Sequence, residues 1–231
     1  MVYRRMIVAG GVSFILGALS FVLVFAYLAA RFDYPHILDG DAATVLPRLL
    51  KGGATMRAVW ALYALLPLFL LPGAVGAYLA CPSSRDRMKL ALVFASIGTL
   101  AMCLGLMRWP SIHWVLAEAY AASSAQSPGS LDAVFAGLNV YLGNYVGEFL
   151  GETCLAVFFF LAGWSILEET AFPRWVGWSG MLFAVLFVVG AFRNVIALVQ
   201  PVADLNNSLL PLWMIVLGGS VIWHTRTPAR I

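Results

Sequence analysis

The sequence predicts an all-α protein: a polytopic membrane bundle of about six transmembrane helices, with one or two interfacial helices on the outer face. Three observations predict it. Apolar stretches near the length of a membrane span recur along the whole chain. Of 231 residues, 62% are hydrophobic and only 11% charged, with a mean hydropathy of +0.89, whereas soluble domains carry about a quarter charged residues. The few lysines and arginines fall mostly between the apolar stretches and track their topology, with the first outer loop discordant. The short alternating segments of an outer-membrane barrel do not occur. Residues 1–231 therefore read as one integral membrane domain.

The first helix is expected over about 6–30. It follows the basic start "MVYRRM", but its apolar run is longer than the 7–15 residues of a secretory signal, so it reads as an uncleaved span. In the first connection, Asp41 caps a short helix that Gly52–Gly53 end, with Pro47 as an irregularity inside it. The second span covers about 57–80, kinked by Pro67 and Pro72. The third covers about 88–108. A helix then starts at Pro110, lying at the outer interface and anchored by Trp109 and Trp114. "SSAQSPGS" after it reads as loop. The fourth span, about 144–167, is extended outward by an amphipathic stretch from Leu131; the fifth covers about 175–198 and the sixth about 207–224.

Basic residues set the orientation. Arg4, Arg5, Arg85, Arg87, Lys89, Arg174, Arg226 and Arg230 fall on one side. The other has Arg31, Arg48, Lys51 and Arg57 in its first loop, and no Lys or Arg in its second, 109–143. The positive-inside rule puts both termini in the cytoplasm, and the expected location is a bacterial inner membrane. The net charge of +3 is small and its basic residues are scattered, so nucleic acid is not an expected partner. Three cysteines, Cys81, Cys103 and Cys154, show no paired spacing and read as small core residues. His36, His113 and His224 are dispersed, so the sequence offers no zinc or haem set, and no metal or other cofactor is expected.

The unusual chemistry lies in "YLGNYVGEFLGE", residues 141–152. Read as an α-helix, Gly143, Gly147 and Gly151 form a ridge where another helix can approach closely. Tyr141, Tyr145, Glu148 and Glu152 form the neighbouring stripe, with Asn144 beside it. Counting back from Leu167 puts Glu148 near the outer boundary and Glu152 one turn deeper. The third span reaches that level at Arg108. The fifth reaches it at Arg193, roughly 27 Å from Trp175 at 1.5 Å per residue. Asn194 and His113 are close in sequence to the layer. Charges inside a membrane are costly, so opposite charges at one depth are expected to pair, although sequence alone does not assign the pairs.

Three readings of Arg108, Asn144, Glu148, Glu152, Arg193 and Asn194 stay open. The layer is interhelical salt bridges alone, in an accessory subunit of a larger complex or a homo-oligomer. It is a pocket for a small molecule or lipid headgroup, with the arginines holding an anionic group. Or Glu148 and Glu152 act as an acid–base pair, although no nucleophile or metal ligands accompany them and no catalytic residue is assigned. The inner halves of the spans hold almost no ionisable groups, which argues against a proton-coupled transporter. "EETAFPR", 168–174, lacks the spacing and partner histidines of the Glu-Glu-Arg motif of intramembrane prenyl-protein proteases.

Several short segments, in order, are shared with a known family: "FDYPHIL" (32–38), "GG" (52–53), "RWP" (108–110), "EAYA" (118–121), "YLG" (141–143), "GEFLG" (147–151) and "FPRWVGW" (172–178). On these the chain resembles an uncharacterised bacterial family of multi-pass membrane proteins, a domain of unknown function numbered four-three-eight-six. The resemblance implies a six-helix inner-membrane protein and carries no activity. Related sequences have His after the Gly-Glu pair where this chain has Phe149, so a mechanism needing that imidazole does not transfer.

Overall fold

A computed structural model describes residues 2–122 and 128–225. Arg226 and Arg230, used above for orientation, and residues 123–127 of the expected loop lie outside them. The described residues form helices and no strands: α1 Val2–Phe32, α2 Ala42–Lys51, α3 Gly53–Leu65, α4 Leu70–Ala80, α5 Arg85–Met107, α6 Ile112–Ala122, α7 Pro128–Leu138, α8 Gly151–Glu168, α9 Arg174–Ala191 and α10 Gln200–His224. A π-helical segment, Asn139–Leu150, joins α7 to α8. Six helical stretches are long and apolar enough to cross a membrane, the six expected from sequence.

Local chemistry accounts for most boundaries. Asp41 accepts a hydrogen bond from the Thr44 N–H at 2.9 Å, capping α2. Gly52 ends that helix, and Gly53 takes a positive φ of 62°, which glycine adopts without steric cost. The second span changes from α to 3-10 winding over Leu66–Phe69, around Pro67; Pro72 falls in the first turn of α4. Three expectations need correction. The fifth span stops being α-helical at Ala191, because Phe192–Asn194 turns as 3-10 helix; α10 begins at Gln200 with Pro201 in its first turn. Residues 128–130 are the start of α7 rather than loop. Trp109 and Trp114 are buried instead of anchoring α6 at a surface.

Two cores stack along the bundle. In the larger, α1, α4, α5, α8, α9 and α10 meet around Phe14, Phe158, Phe159 and Trp213. The second lies under α2, α6 and α7, where Trp60 and Trp109 stack with ring centres 4.7 Å apart and Phe32 meets both edge-on. Two of the four basic residues that break the charge asymmetry have local partners here. Arg57 Nε donates to Pro110 O at 2.9 Å, its guanidinium lies 5.0 Å over the Trp114 ring, and Arg48 is 3.6 Å from Asp33. At the opposite end of the bundle, Ser83 donates to Glu169 through its backbone N–H and hydroxyl, Ser84 to Glu168, and Arg87 pairs with Glu168 at 2.9 Å. The Arg87 guanidinium also lies 4.0 Å over Trp164. The free cysteines Cys81 and Cys154 are buried, and burial pushes the Cys81 thiol well up.

Helices cross closely where glycine faces glycine. The expected ridge packs on α5: a Cβ added at Gly105 would lie 2.5 Å from the Gly147 Cα, and one at Gly151 would lie 2.8 Å from Met102 Cγ. Backbone cannot yield at such a distance. Gly105→Ala is expected to destabilise the protein by about 1–3 kcal/mol. Gly219→Ala, whose Cβ meets nothing within 4 Å, should be neutral or gain up to ~1 kcal/mol from helix propensity; thermal unfolding in detergent compares them. The Thr44 hydrogen bonds hold the Asp41 carboxyl below its usual range. That stabilisation is present above the ordinary aspartate value of about 4 and is lost as pH falls through the lowered folded value. The protection factor of the Thr44 amide, its exchange rate relative to the intrinsic rate at each pH, should therefore fall on acidification, and in Asp41→Ala it should be low at both pH values.

Candidate functional site

The candidate site sits at the loop-bearing end, where the π segment, α5, α9 and α10 converge under residues 34–39. Its centre is Arg193, at the point where α9 gives way to 3-10 winding. Arg193 grips both glutamates. Its Nη1 and Nη2 donate to the two oxygens of Glu152 at 2.8 and 2.9 Å, and its Nε donates to Glu148 Oε2 at 3.2 Å. Nη2 also lies 3.0 Å from Glu148 Oε2, and Nη1 donates to Gly190 O at 3.1 Å. The side chains of Arg193, Glu152 and Glu148 are 13%, 16% and 25% exposed. This two-pronged geometry is among the stronger forms of ion pairing. It also leaves Arg193 with all three nitrogens engaged.

Asn194 extends the cluster, its Nδ2 donating at 3.0 Å to both Glu148 Oε2 and the backbone carbonyl of Asn144. Asn144 thus contributes its main chain. Winding from i to i+5 adds a residue to each turn, so side chains drift in phase relative to an α-helix. Tyr141 and Tyr145 are consequently exposed and line neither cavity, leaving the expected stripe, while Gly143, Gly147, Glu148 and Glu152 face inward. Phe149 points elsewhere, edge-on to Phe192 at 5.2 Å.

Arg108 is the second centre, and it does not join the clamp. It is 4% exposed and has no carboxylate within ion-pair distance among the described residues. Its Nε donates to Asn139 Oδ1 at 3.2 Å and its Nη1 to Gly105 O. Asn139 is held in turn by donating to Leu38 O at 3.0 Å. The guanidinium lies flat against Gly143, where a Cβ would come within 2.5 Å of Nη2, and 5.2 Å over the Trp109 ring. Nη2 has no hydrogen-bond partner among the described residues. His113 lies behind, fully buried against Trp109 and Phe135, with neither ring nitrogen partnered among the described residues.

Two neighbouring cavities that share part of their lining adjoin these groups. A chamber of about 100 Å³ is bounded by Arg108, Glu148, Glu152, Arg193 and Asn206, with apolar walls that include Leu106 and Phe187. A wider vestibule of about 520 Å³ has Asp39, Asn144, Asn194 and Asp204 in its lining. Tyr34, Leu38, Glu148, Arg193 and Asn207 border both. Tyr63 donates to the Tyr34 hydroxyl at 3.5 Å; burial raises the Tyr34 pKa, so it stays a neutral hydroxyl at the junction.

The sequence pattern of one family, described as "Domain of unknown function (DUF4386)", matches residues 9–222. The chain belongs to that family. No curated protein and no solved structure matches it. Four of the seven segments that carry the family resemblance line the site: "FDYPHIL" supplies Tyr34 and Leu38, "RWP" Arg108 and Trp109, "YLG" Gly143, and "GEFLG" Gly147 and Glu148.

The structure therefore brings all six candidate residues to one region, with Glu148, Glu152, Arg193 and Asn194 in direct contact. It adds residues that sequence reasoning passed over: Asn139, Tyr34, Asp204, Asn206 and Asn207. The visible signal for the last three was three polar residues within four positions at the start of an apolar span. Removing one partner of a buried pair costs about 3–5 kcal/mol, because the other charge is stranded. Arg193→Gln and Glu152→Gln should each lower stability by an amount of that order, and the double variant should lose much less than their sum. A double-mutant cycle from unfolding in detergent measures this, and strict additivity would refute direct coupling.

Proposed function

We propose that this multi-pass membrane protein binds a small molecule or lipid headgroup through an anionic group that Arg108 holds in the chamber. The observation that carries the reading is a buried guanidinium, lining a cavity, that has no carboxylate partner and an uncommitted Nη2 among the described residues. Buried charges are ordinarily paired, and leaving one unpaired is expensive. An incoming anion completes Arg108 without disturbing the Arg193 clamp. This refines the roles expected from sequence: Arg193 is committed to Glu148 and Glu152 and acts as the frame, while Arg108 alone receives the ligand.

Dimensions favour the same reading. The chamber is about 100 Å³, enough for a carboxylate or phosphate group, and the vestibule of about 520 Å³ takes the remainder. Together they fall within the usual range for small-molecule sites. The site opens at the loop-bearing end, while the Ser83–Glu169 and Ser84–Glu168–Arg87 contacts tie the opposite end together. Arg85, Arg87, Lys89 and Arg174 lie at that opposite end, which supports a bacterial inner-membrane placement with cytoplasmic termini and an outward-facing site.

Native mass spectrometry from lipid particles tests the proposal on folded wild type, Arg108→Gln and Arg108→Lys. Wild type should retain an anionic small molecule or lipid. Arg108→Gln should lose it by roughly tenfold or more in occupancy, the scale of a charged hydrogen bond, and Arg108→Lys should lose less. Equal retention in all three proteins, or no bound species in any, overturns the reading.

A further inference from the structure

We infer that the ligand is a zwitterion of the phosphoethanolamine type, with its anionic group on Arg108 in the chamber and its ammonium among the carboxylates of the vestibule. The inference rests on the Arg108 site proposed above and goes further by assigning the other end of the ligand. Two independent observations carry it.

The first is inside the chamber. Asn206 is 3% exposed, and its Nδ2 donates to Leu186 O at 3.0 Å, which fixes the amide orientation. Its Oδ1 is buried with no hydrogen-bond partner among the described residues. The close approach depends on Gly190, where a Cβ would overlap the Asn206 amide nitrogen. Arg108 and Asn206 both border one small cavity, so its wall holds a guanidinium and an amide that each keep an unused polar atom among the described residues. A protonated phosphate, or a phosphate accompanied by a bound water, satisfies both.

The second is the charge of the vestibule. Its lining holds three carboxylates, Asp39, Glu148 and Asp204, against one guanidinium, Arg193, whose nitrogens are already engaged. Glu148 Oε1 has no partner among the described residues, and Asp204 accepts only from Gln200 Nε2, at 2.9 Å. A ligand passing through this lining to reach Arg108 meets excess negative charge, which repels a simple anion and attracts an ammonium. Gln200, Asp204 and Asn207 fall on one face of α10, and Asn207 borders both cavities.

Native mass-spectrometric titration of the full chain separates the outcomes. The probes are short-chain lipids with phosphoethanolamine or phosphoglycerol heads, and free phosphoethanolamine. Wild type should bind the phosphoethanolamine head about tenfold more tightly than the phosphoglycerol head, one charge interaction's worth. Asp39→Asn/Asp204→Asn should bring that ratio towards one without weakening phosphoglycerol binding, and both residues are surface positions whose exchange leaves the Arg193 clamp intact. Competition by free phosphoethanolamine identifies a soluble ligand; binding only of the tailed probe identifies a lipid, and either supports the inference. Arg108-dependent binding that favours phosphoglycerol, or a ratio unchanged in the Asp variant, overturns the zwitterion while leaving the anion site standing. Loss of Arg108 dependence for every probe overturns both.

Discussion

The Arg193 fork on Glu148 and Glu152 is the constraint around which this end of the bundle is organised. Three ionised groups in a largely apolar protein are tolerable only when each compensates the others, so α8, α9 and the π segment must arrive at one depth in one rotational setting. Once they do, Asn194 falls within reach of Glu148 and of the Asn144 carbonyl. The start of α10 follows two short 3-10 turns later, which brings Asp204, Asn206 and Asn207 to the same place. The clamp is structural in its energetics. Its functional effect is indirect: by absorbing both glutamates, it leaves Arg108 without a carboxylate.

Arg108 is positioned by different means. No opposite charge among the described residues pairs with it. Its place is fixed by Asn139, the Gly105 carbonyl, the Trp109 ring and the missing side chain at Gly143. Gly105 serves twice, since its carbonyl accepts from Arg108 while its bare Cα lets the π segment close in at Gly147. Tight helix packing and the guanidinium seat are thus one construction. Helix association within lipid has little hydrophobic drive of its own and relies on such close contact.

Much of this was legible in the sequence because the membrane simplifies the reading. Six apolar stretches gave six spans, Asp41 capped its helix, Pro67 marked the 3-10 interruption, and Gly147 found a facing backbone. Placing Arg108, Glu148, Glu152 and Arg193 at one depth needed only a rise per residue. Depth alone, however, does not give azimuth. The pairing of both glutamates with Arg193, and with Arg108 left over, depends on rotation about each helix axis, and that rotation was altered by π winding that no residue pattern announced. Tyr141 and Tyr145 were misplaced for that reason. Trp109 and Trp114 were misplaced because an aromatic near a span end serves a lipid boundary or an inner core equally well, and here the second core recruits both. Asp204 and Asn206 were missed because the sixth span was started about two turns too late, which left them as flank and Asn207 as its first residue.

The π segment also separates the two arginine seats mechanically. An i to i+5 turn holds one residue more than an i to i+4 turn, so the stretch from Asn139 to Leu150 stores register between its ends. Shortening it by one residue on the α7 side would let the winding revert towards α, rotating Asn139 away from Arg108 while Glu152 and the rest of α8 keep their alignment with Arg193. Insertions and deletions in this segment therefore retune the geometry of the chamber without unlocking the bundle, giving a single helix one adjustable end and one fixed end.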